Sequence, residues 1–373
     1  MADIERFKLK DFFYTPQAAA AEYNMSKSFA EPMEIGELLA FEPEAQARLN
    51  ALALGYTGLD GSAPLKQAIS GRYRGLGPDD VLATSGLDDA LALMALSLIE
   101  PGDRVIVQTP AYQTYLTVPA WRGADVVEWR AGPENAWLPD LDELAALLET
   151  PARWVMINFP NNPTGVMPDE AYFQALLDIV GRTETLLISD EIYAGLPPTD
   201  PPFVPLCCRY ERALSLHSVS KTLGIPGLRI GWIATGHKPV LDRLKEIRLH
   251  FNSFVSAPSE FLGALALRHD AEIHARNADI LAGNLAVAEA FFARHDNLFG
   301  WTPPGAGVNA WPEWRGLGDT KALSDAVLAD SKLLIAHSAL FDGGDRNVRL
   351  GLGCRGLEGA MDRFDDFLGR AYG

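Results

Sequence analysis

The sequence contains few cysteines and an excess of acidic over basic residues. Three cysteines in 373 residues, two of them adjacent at Cys207 and Cys208, cannot form a disulfide framework and lack the spacing of a zinc site. The chain carries 32 lysines and arginines against 49 aspartates and glutamates, a net charge of −17, which opposes binding to phosphate backbones and to anionic membranes. We therefore expect no metal, no nucleic-acid partner and no membrane partner.

Long apolar runs are also absent. The longest, LALMALSLI at 91–99, falls well short of the roughly 20 residues that a transmembrane helix needs. The start, MADIERFKLKDFF, mixes charges of both signs and lacks the apolar core of a signal peptide. We therefore expect a cytoplasmic protein. The 48% hydrophobic and 22% charged residues are typical of a globular chain, and the length favours two domains.

Helical and strand-like patterns alternate from about residue 60 to residue 235. Several of the strand-like segments are apolar at consecutive positions, which is typical of a mostly parallel sheet covered by helices on both faces. After residue 239 the pattern changes to long helices, and after TPPGAG at 302–307 it indicates a smaller α/β unit. The predicted strands of the sheet begin at residues 81, 104, 125, 154, 186, 213 and 230, and the helices between them are 63–72, 86–99, 111–121, 140–149 and 168–180.

One segment matches a dinucleotide-binding fingerprint without its context. GLGCRG at 351–356 follows a predicted strand and opens a helix. The fingerprint also requires a second strand and an acidic residue about 20 positions further on, and too few residues follow Gly356. We therefore expect no nucleotide site there.

Four polar segments follow predicted strands. Ligands of open parallel sheets bind at the carboxyl ends of the strands, so we expect these segments to share one crevice. A Ser-Gly pair before a helix suits a phosphate, and Asp190 after a buried strand needs a cation or hydrogen-bond donors. An amine beside them, Lys221, can form a Schiff base with an aldehyde cofactor whose pyridine nitrogen pairs with the acid. The segments are TSGLDDAL (84–91), NFPNNPTG (158–165), ISDEIYAG (188–195) and LSLHSVSKTLGIPGLRIGW (214–232).

The ordered set SGLDDAL, TPAY, NFPNNPTG, SDEIY, SVSK and GLRIGW resembles the fold type I, pyridoxal-phosphate-dependent aminotransferases of class I/II. The resemblance spans roughly residues 55–355, and MEIGELLAFEP and YTGLDG are loosely similar to the capreomycidine synthase type. It implies pyridoxal 5′-phosphate (PLP) as cofactor and a PLP-dependent transferase fold, with a mostly parallel sheet in a large domain. We predict a large PLP-binding domain at 41–298 and a small α/β domain formed by 1–40 and 299–373.

The resemblance also implies roles for individual residues. Lys221 would form the Schiff base with PLP and move the proton at the substrate Cα, Asp190 would pair with the pyridinium nitrogen, and Tyr193 would be the third catalytic residue. With Asn162, Tyr193 would hydrogen-bond the phenolic oxygen of the cofactor. Tyr112 would stack on its ring. The phosphate would be held by Gly86, Leu87, Asp88, Ser218 and Arg229, and by Tyr56 of a neighbouring subunit in a homodimer.

For the substrate, the resemblance points to Arg349, in NVRLGL, as the residue that binds the α-carboxylate through two parallel bonds. Asn162 and Gly36 would also contact the substrate. A carboxylate at position 88 would repel a phosphate dianion, so we expect the Asp88 side chain to face away or to cap the helix.

The predicted activity is transfer of the amino group of an L-amino acid to a 2-oxo acid, in a ping-pong cycle through the pyridoxamine form of the cofactor. Lys221 and Asp190 would serve other PLP chemistry equally, so β- or γ-elimination or replacement, cyclisation and oxidation stay open. A non-catalytic PLP-binding sensor is a further alternative. It needs an N-terminal DNA-binding module, and only about 40 residues precede the core.

Overall fold

The computed structural model describes residues 5–199 and 201–372. Its largest element is a seven-stranded sheet, and three smaller sheets lie outside it. The strands are β1 (Tyr23–Asn24), β2 (Val81–Thr84), β3 (Arg104–Thr109), β4 (Asp125–Arg130), β5 (Trp154–Asn158), β6 (Leu186–Asp190), β7 (Ala213–Ser218), β8 (Gly231–Ala234), β9 (Phe299–Gly300), β10 (Asn309–Ala310), β11 (Glu313–Trp314), β12 (Leu333–Leu334), β13 (Ala336–His337) and β14 (Val348–Gly351).

Helices surround the large sheet and build most of the remaining chain. They are α1 (Lys8–Phe13), α2 (Pro16–Ala19), α3 (Ile35–Leu39), α4 (Ala45–Asn50), α5 (Ala63–Ser70), α6 (Leu87–Leu98), α7 (Thr114–Trp121), α8 (Leu141–Leu147), α9 (Glu170–Val180), α10 (Lys238–Arg248), α11 (Ala257–Arg268), α12 (Asp270–Arg294), α13 (Thr320–Ser331) and α14 (Leu357–Tyr372). Short 3-10 helices cover Pro78–Asp80, Pro133–Asn135, Leu206–Cys208, Pro226–Leu228 and Ser338–Phe341. No helix among residues 5–199 and 201–372 combines the length and apolarity needed to cross a bilayer.

The seven-stranded sheet is mostly parallel and contains all seven predicted strands. Its order is β2-β8-β7-β6-β5-β3-β4, and β8 alone runs antiparallel to both of its neighbours. The predicted fold class is therefore confirmed. The five predicted helices between the strands correspond to α5 to α9, with ends that differ by up to three residues.

Both faces of this sheet are buried, which explains the consecutive apolar residues in its strands. In β3, Ile106 belongs to the apolar cluster on one face, while Val105 and Val107 belong to the cluster on the other. Successive side chains of a strand point to opposite faces. A strand covered on both sides thus needs apolar residues at every position.

A separate apolar cluster joins the later helices to the small sheets. It contains Leu281 and Phe291 of α12 and Phe364 of α14, whereas Ile273 at the start of α12 packs with the large sheet. The predicted boundary at 298 stays a prediction. The packing of α12 places the division between the two apolar clusters inside this helix.

The glycines of GLGCRG are explained by close packing. A Cβ on Gly351 would collide with the backbone oxygen of Lys27, and one on Gly353 with that of Phe29. Segment 27–29 can therefore lie directly against the end of β14. This contact brings the N-terminal part of the chain to the carboxyl edge of the large sheet, where the predicted site lies.

Candidate active site

A cavity of about 570 Å³ opens at the carboxyl ends of β5, β6 and β7 and at the start of α6. Residues from all four predicted segments line it, together with the N-terminal segment 24–29 and residues of α1. Segment 158–165 contributes Asn162 alone. Predicted site residues that line this cavity are Leu87, Asp88, Tyr112, Asn162, Asp190, Tyr193, Ser218, Lys221, Arg229 and Arg349.

Lys221 lies three residues beyond the end of β7, with its side chain directed into the cavity. Its Nζ donates a hydrogen bond to Oγ of Ser28 at 3.1 Å. The same nitrogen lies 5.9 Å from the ring centre of Tyr193 and 6.0 Å from that of Phe29. The Tyr193 hydroxyl donates to the backbone oxygen of Ser28 at 3.2 Å. The half-buried Lys221 amine is thus held at the cavity wall by its hydrogen bond to the Ser28 hydroxyl.

Asp190 is the last residue of β6 and is 1% exposed. Its Oδ1 accepts a hydrogen bond from the Ile192 backbone N–H at 2.9 Å, and its Oδ2 accepts one from the Tyr115 hydroxyl. Burial raises the pKa of Asp190 to about 7, while these two hydrogen bonds and the charge of Lys221 oppose the shift. A carboxylate in this environment is stabilised by a cation placed beside it.

The neighbouring acid, Glu191, points away from this cavity. Its Oε1 accepts hydrogen bonds from the Ser215 hydroxyl at 2.7 Å and from the Leu206 backbone N–H at 2.9 Å. These bonds hold the segment that follows β6 against β7. Glu191 is therefore a structural carboxylate, and Asp190 is the one that faces the ligand cavity.

The start of α6 forms a cradle for an anion. Gly86 has φ +94°, and a Cβ there would collide with Nη2 of Arg229. The Arg229 guanidinium donates to the backbone oxygen of Pro226 at 3.1 Å and remains exposed to the cavity. The first N–H groups of a helix have no intrahelical partner and carry partial positive charge. The buried Ser218 hydroxyl lies at the same wall, where it accepts from the Ser220 backbone N–H at 3.0 Å.

The two aspartates at the start of α6 have different surroundings. The Oδ2 of Asp89 accepts a hydrogen bond from the Ser85 backbone N–H at 2.8 Å, in the turn that precedes the helix. Asp88 lines the cavity, so the expectation that its side chain faces away or caps the helix is wrong. Burial raises the pKa of Asp88, opposed by the positive charges of Arg229 and Lys221 and by the Tyr112 hydroxyl. Asp88 is nevertheless an exposed residue, open to the cavity.

Arg349, on β14, is a buried cation with an unused donor. Its Nη1 donates to Oδ1 of Asn162 at 2.9 Å and its Nη2 to the backbone oxygen of Ser26 at 2.7 Å, while its Nε has no partner among the described residues. The guanidinium carbon lies 4.6 Å from the ring centre of Phe341. Burial lowers the pKa of Arg349 to about 10. An anionic ligand would compensate this burial.

Two predicted residues lie outside the cavity. Gly36 belongs to α3, is exposed and has no atom within 4 Å of the position of a Cβ, so the structure does not bring it to this site. Tyr56 is 89% exposed and stacks on Phe254, with ring centres 4.7 Å apart. Within one protomer neither residue lines the cavity that contains Lys221.

Three site residues were not found from the sequence: Ser26, Ser28 and Tyr115. Tyr115 lies one helical turn after Tyr112 in TPAYQTY, and this spacing places both side chains on one face of the chain. This spacing could have identified Tyr115 from the sequence. Ser26 and Ser28 lie in a segment with no motif, and only its contact with β14 brings them to the cavity.

Comparison with known proteins gives the family of this chain. Residues 38–363 match the family described as Aminotransferase class I and II. A capreomycidine synthase from Streptomyces vinaceus is 31% identical over 337 residues, covering 90% of this chain and 86% of that protein. An aspartate aminotransferase from Thermotoga maritima is 25% identical over 342 residues, covering 88% of each.

Solved structures agree over almost the whole length. A PLP-dependent aminotransferase from Streptococcus suis superimposes with a TM-score of 0.92 at 30% identity, covering 99% of this chain and 98% of that one. The PLP-dependent cyclase OrfR superimposes with a TM-score of 0.88 at 27% identity, with the same coverage. The fold is therefore shared by an aminotransferase and a cyclase.

The residues around the cavity fit PLP. The buried carboxylate of Asp190 suits a protonated ring nitrogen, the Lys221 amine suits an aldehyde, and the start of α6, where Gly86 at φ +94° lies against the Arg229 guanidinium, suits a phosphate. Asp190, Lys221, Arg229 and the first residues of α6 all line the same cavity. With this fit and the match over residues 38–363, the chain belongs to the class I and II aminotransferases, which are PLP-dependent enzymes of fold type I.

Proposed function

We propose that this enzyme transfers the amino group of an L-amino acid to a 2-oxo acid. The observation that carries the proposal is the joint placement of Lys221, Asp190 and Arg349 around one cavity. The first two suit the cofactor, and the third is a fully buried cation whose Nε finds no partner in the described part of the chain. Both an amino acid and a 2-oxo acid carry the carboxylate that such an arginine binds through two parallel hydrogen bonds.

PLP, when bound, supplies an aldehyde that captures the substrate amine and a ring that accepts electron density from the substrate Cα. The chain holds the group in place. Asp190 keeps positive charge on the ring nitrogen, and Arg229, Ser218 and the first N–H groups of α6 bind the phosphate. The Asn162 oxygen accepts from Arg349, so its amide nitrogen would donate to the phenolic oxygen of the cofactor. The Tyr193 hydroxyl would join it there by exchanging its hydrogen bond to the Ser28 backbone oxygen for one to the cofactor.

Lys221 carries the proton at the substrate Cα. Once its Nζ is a free amine, it would accept this proton and deliver it to the former aldehyde carbon of the cofactor. The Ser28 hydroxyl, 3.1 Å from Nζ, is positioned to orient the amine. The aromatic wall of the cavity, including Tyr112 and Phe29, limits access of water. Segment 26–29 and α1 come from the predicted small domain, so closure of that domain would complete this wall.

A second function, cyclisation of a modified amino acid, is favoured by one observation. The capreomycidine synthase from Streptomyces vinaceus, at 31% identity, and the cyclase OrfR, at 27%, are about as similar to this chain as the aminotransferases are. The same residues would hold the substrate. The difference is that a cyclase or an elimination lyase needs no 2-oxo acid.

A panel of amino donors with and without 2-oxo acids separates the two. If the enzyme transfers amino groups, each donor is converted to its oxo acid over many turnovers only when an acceptor is added. The acceptor is then converted to the corresponding amino acid. Ammonia, pyruvate or a cyclised product released over many turnovers without an acceptor would contradict amino transfer. Product analysis by mass spectrometry distinguishes these outcomes.

We propose a homodimer in which Tyr56 reaches the phosphate of the neighbouring subunit. What supports this is the exposure of Tyr56, at 89%, and of Leu54 two residues before it, at 83%. Apolar surface of this kind marks protein contacts. A mass of one chain in light scattering would contradict the proposal.

We also propose that the enzyme acts in the cytoplasm on free amino acids. What supports the location is that all three cysteines, Cys207, Cys208 and Cys354, are free thiols, the state kept by a reducing compartment. Fractionation of the source cells would test it.

A further inference from the structure

A second cavity, of about 540 Å³, lies beside the segment that follows β6. Along this segment Tyr193 lines the active-site cavity, whereas Glu191 and Gly195 line the second one. Among residues 5–199 and 201–372, none lines both cavities. The reaction proposed above uses no residue of the second cavity, so the polar groups around it need another explanation.

Glu191 brings a buried carboxylate to this cavity. It is 1% exposed, and burial raises its pKa to about 7. The groups that oppose this shift are neutral donors, namely the Leu206 backbone N–H and the hydroxyls of Ser215 and Ser189. A cation in the cavity would stabilise the ionised form of such an acid. The Glu191 carboxylate therefore suits an ammonium group.

Arg72 brings a partly exposed guanidinium to the same cavity. Its Nη1 donates to Oδ2 of Asp270, and the two side chains are 20% and 32% exposed. No other nitrogen of Arg72 has a hydrogen-bond partner in the described part of the chain. A guanidinium has five N–H donors, and a carboxylate is the anion that its fork fits best. The remaining donors of Arg72 can therefore bind a carboxylate of a ligand.

Two buried histidines, His217 and His274, also line the cavity, and in both the Nε2 atom has no partner within residues 5–199 and 201–372. Nδ1 of His217 lies 2.8 Å from the Ser218 backbone nitrogen, closer than the Ser218 oxygen at 3.1 Å. Because that N–H can only donate, Nδ1 accepts and Nε2 of His217 carries the proton. Burial lowers the pKa of His217 to about 3 and that of His274 to about 4. Both rings are therefore neutral, and His217 offers a donor without repelling an ammonium group.

Apolar rings form another wall of the cavity. They are Pro198, Pro202, Phe203 and Pro205. The Phe203 ring is held against that of Phe173, with ring centres 5.6 Å apart. Ligand sites commonly combine such an apolar wall with a few polar groups that fix orientation. This wall suits an apolar side chain of a ligand.

We infer that the second cavity binds a free α-amino acid with an apolar side chain. Its ammonium group lies at Glu191, its carboxylate at Arg72 and His217, and its side chain against the proline wall. A ligand with only one of the two charges leaves either the buried acid or the donors without a partner. Such binding needs no reaction at Lys221 and is therefore independent of the proposed function.

The test compares three probes: L-phenylalanine, 3-phenylpropanoate, which lacks the amine, and 2-phenylethylamine, which lacks the carboxylate. The holoenzyme is first reduced with borohydride, so that no amine can react with the cofactor aldehyde, and binding is measured by calorimetry. We expect L-phenylalanine to bind about tenfold or more tightly than either of the other probes, as hydrogen bonds between charged groups give.

Variants locate the binding. Arg72→Gln removes the guanidinium, and His217→Asn keeps an acceptor for the Ser218 N–H but loses the Nε2 donor, so each should weaken L-phenylalanine binding about tenfold. His237→Asn is the matched control, because the same exchange at a helix start keeps the acceptor for the Val240 N–H. It should leave the affinity unchanged. Arg349→Lys, in the active-site cavity, should leave it unchanged as well.

Binding of L-phenylalanine no tighter than that of the two single-charge probes would overturn the inference without any variant. So would an affinity that falls in Arg349→Lys and survives in both Arg72→Gln and His217→Asn, since the amino acid would then lie in the active-site cavity. None of these results depends on turnover. An enzyme that transfers amino groups but shows no such binding would retain the proposed function and lose this inference, whereas binding without amino transfer would do the reverse.

Discussion

The Tyr115 hydroxyl, on α7, donates a hydrogen bond to Oδ2 of Asp190 at the end of β6. Both side chains are buried, at 5% and 1% exposure, and the bond favours the ionised form of the acid against the effect of burial. Burial and the charge of Asp190 raise the pKa of Tyr115 well above its usual value, so the tyrosine stays a donor. The pair orients the carboxylate that faces the cofactor and favours its ionised form.

Replacing Tyr115 by phenylalanine should weaken PLP binding. The variant loses a hydrogen bond to a charged group, worth about 1.5–3 kcal/mol, so the dissociation constant for PLP should rise roughly tenfold to hundredfold. Titration of the apoenzyme with PLP, monitored by absorbance, measures this dissociation constant. Tyr172→Phe is a matched control, because its hydroxyl donates to the Pro139 backbone oxygen outside the site. Unchanged PLP affinity in Tyr115→Phe would contradict this role.

The Asp190 carboxyl should make the stability of the apoenzyme depend on pH. Burial raises its pKa from 3.8 to about 7, so between these values the folded chain holds a proton that the unfolded chain has released. Raising the pH through this window therefore lowers the free energy of unfolding. Asp190→Asn has no such proton. From pH 5 to pH 8 the apo wild type should lose about 2–3 kcal/mol relative to the variant.

Denaturant unfolding of both apoproteins at several pH values measures this difference. Buried histidines with lowered pKa values, such as His217 at about 3, contribute equally to both proteins and cancel. Adding PLP should reduce the loss in the wild type, because a protonated ring nitrogen stabilises the ionised acid. A pH-independent difference between the two apoproteins would show that Asp190 is ionised throughout.

Arg349→Lys should raise KM for amino donors more than it lowers kcat. Lysine keeps the charge but cannot form two parallel bonds to a carboxylate, and the carboxylate is bound throughout the reaction. We expect KM to rise about tenfold or more. Arg355→Lys, an exposed position a few residues away, should leave both constants unchanged. Steady-state kinetics with one donor and one oxo acid measures both constants. A fall in kcat with unchanged KM would contradict the role of Arg349 in binding the substrate carboxylate.

Gly86→Ala should impair PLP binding beyond the effect of backbone strain. Gly86 and Gly102 both have positive φ, +94° and +90°, but a Cβ on Gly86 meets Arg229 whereas one on Gly102 meets nothing within 4 Å. Both alanine variants should lose about 1–3 kcal/mol of stability from strain. Only Gly86→Ala should also show weaker PLP uptake. Equal PLP affinity in the two variants would mean that the contact with Arg229 is not part of the phosphate cradle.

Much of this site could be predicted because its residues follow strands. Asp190 ends β6, Ser218 ends β7 and Lys221 follows three residues later, so the order of the strands alone brings them to one edge. The alternation of buried strands and helices predicted all seven strands of the sheet. Local sequence carries this information, since each residue is positioned by the element it terminates.

The N-terminal contribution could not be predicted in the same way. Ser28 reaches Lys221, 193 residues away, only because Gly353 lets the backbone of Phe29 pack against the end of β14. Such a contact depends on the packing of two apolar clusters. The predicted orientation of Asp88 was also wrong, because the Asp88 carboxyl lies beside the Tyr112 hydroxyl at the cavity. That contact joins α6 to the segment after β3 and leaves no signal in the local sequence.

Borohydride trapping of the holoenzyme tests the central claim most directly. If the cavity built by Lys221, Asp190 and Arg349 holds PLP, reduction should fix the cofactor to the chain, and peptide mass spectrometry should locate it on Lys221 alone. Lys221→Ala should take up PLP without a fixed label and should lack turnover. Label on another lysine, or a wild-type protein that binds no PLP, would contradict the account.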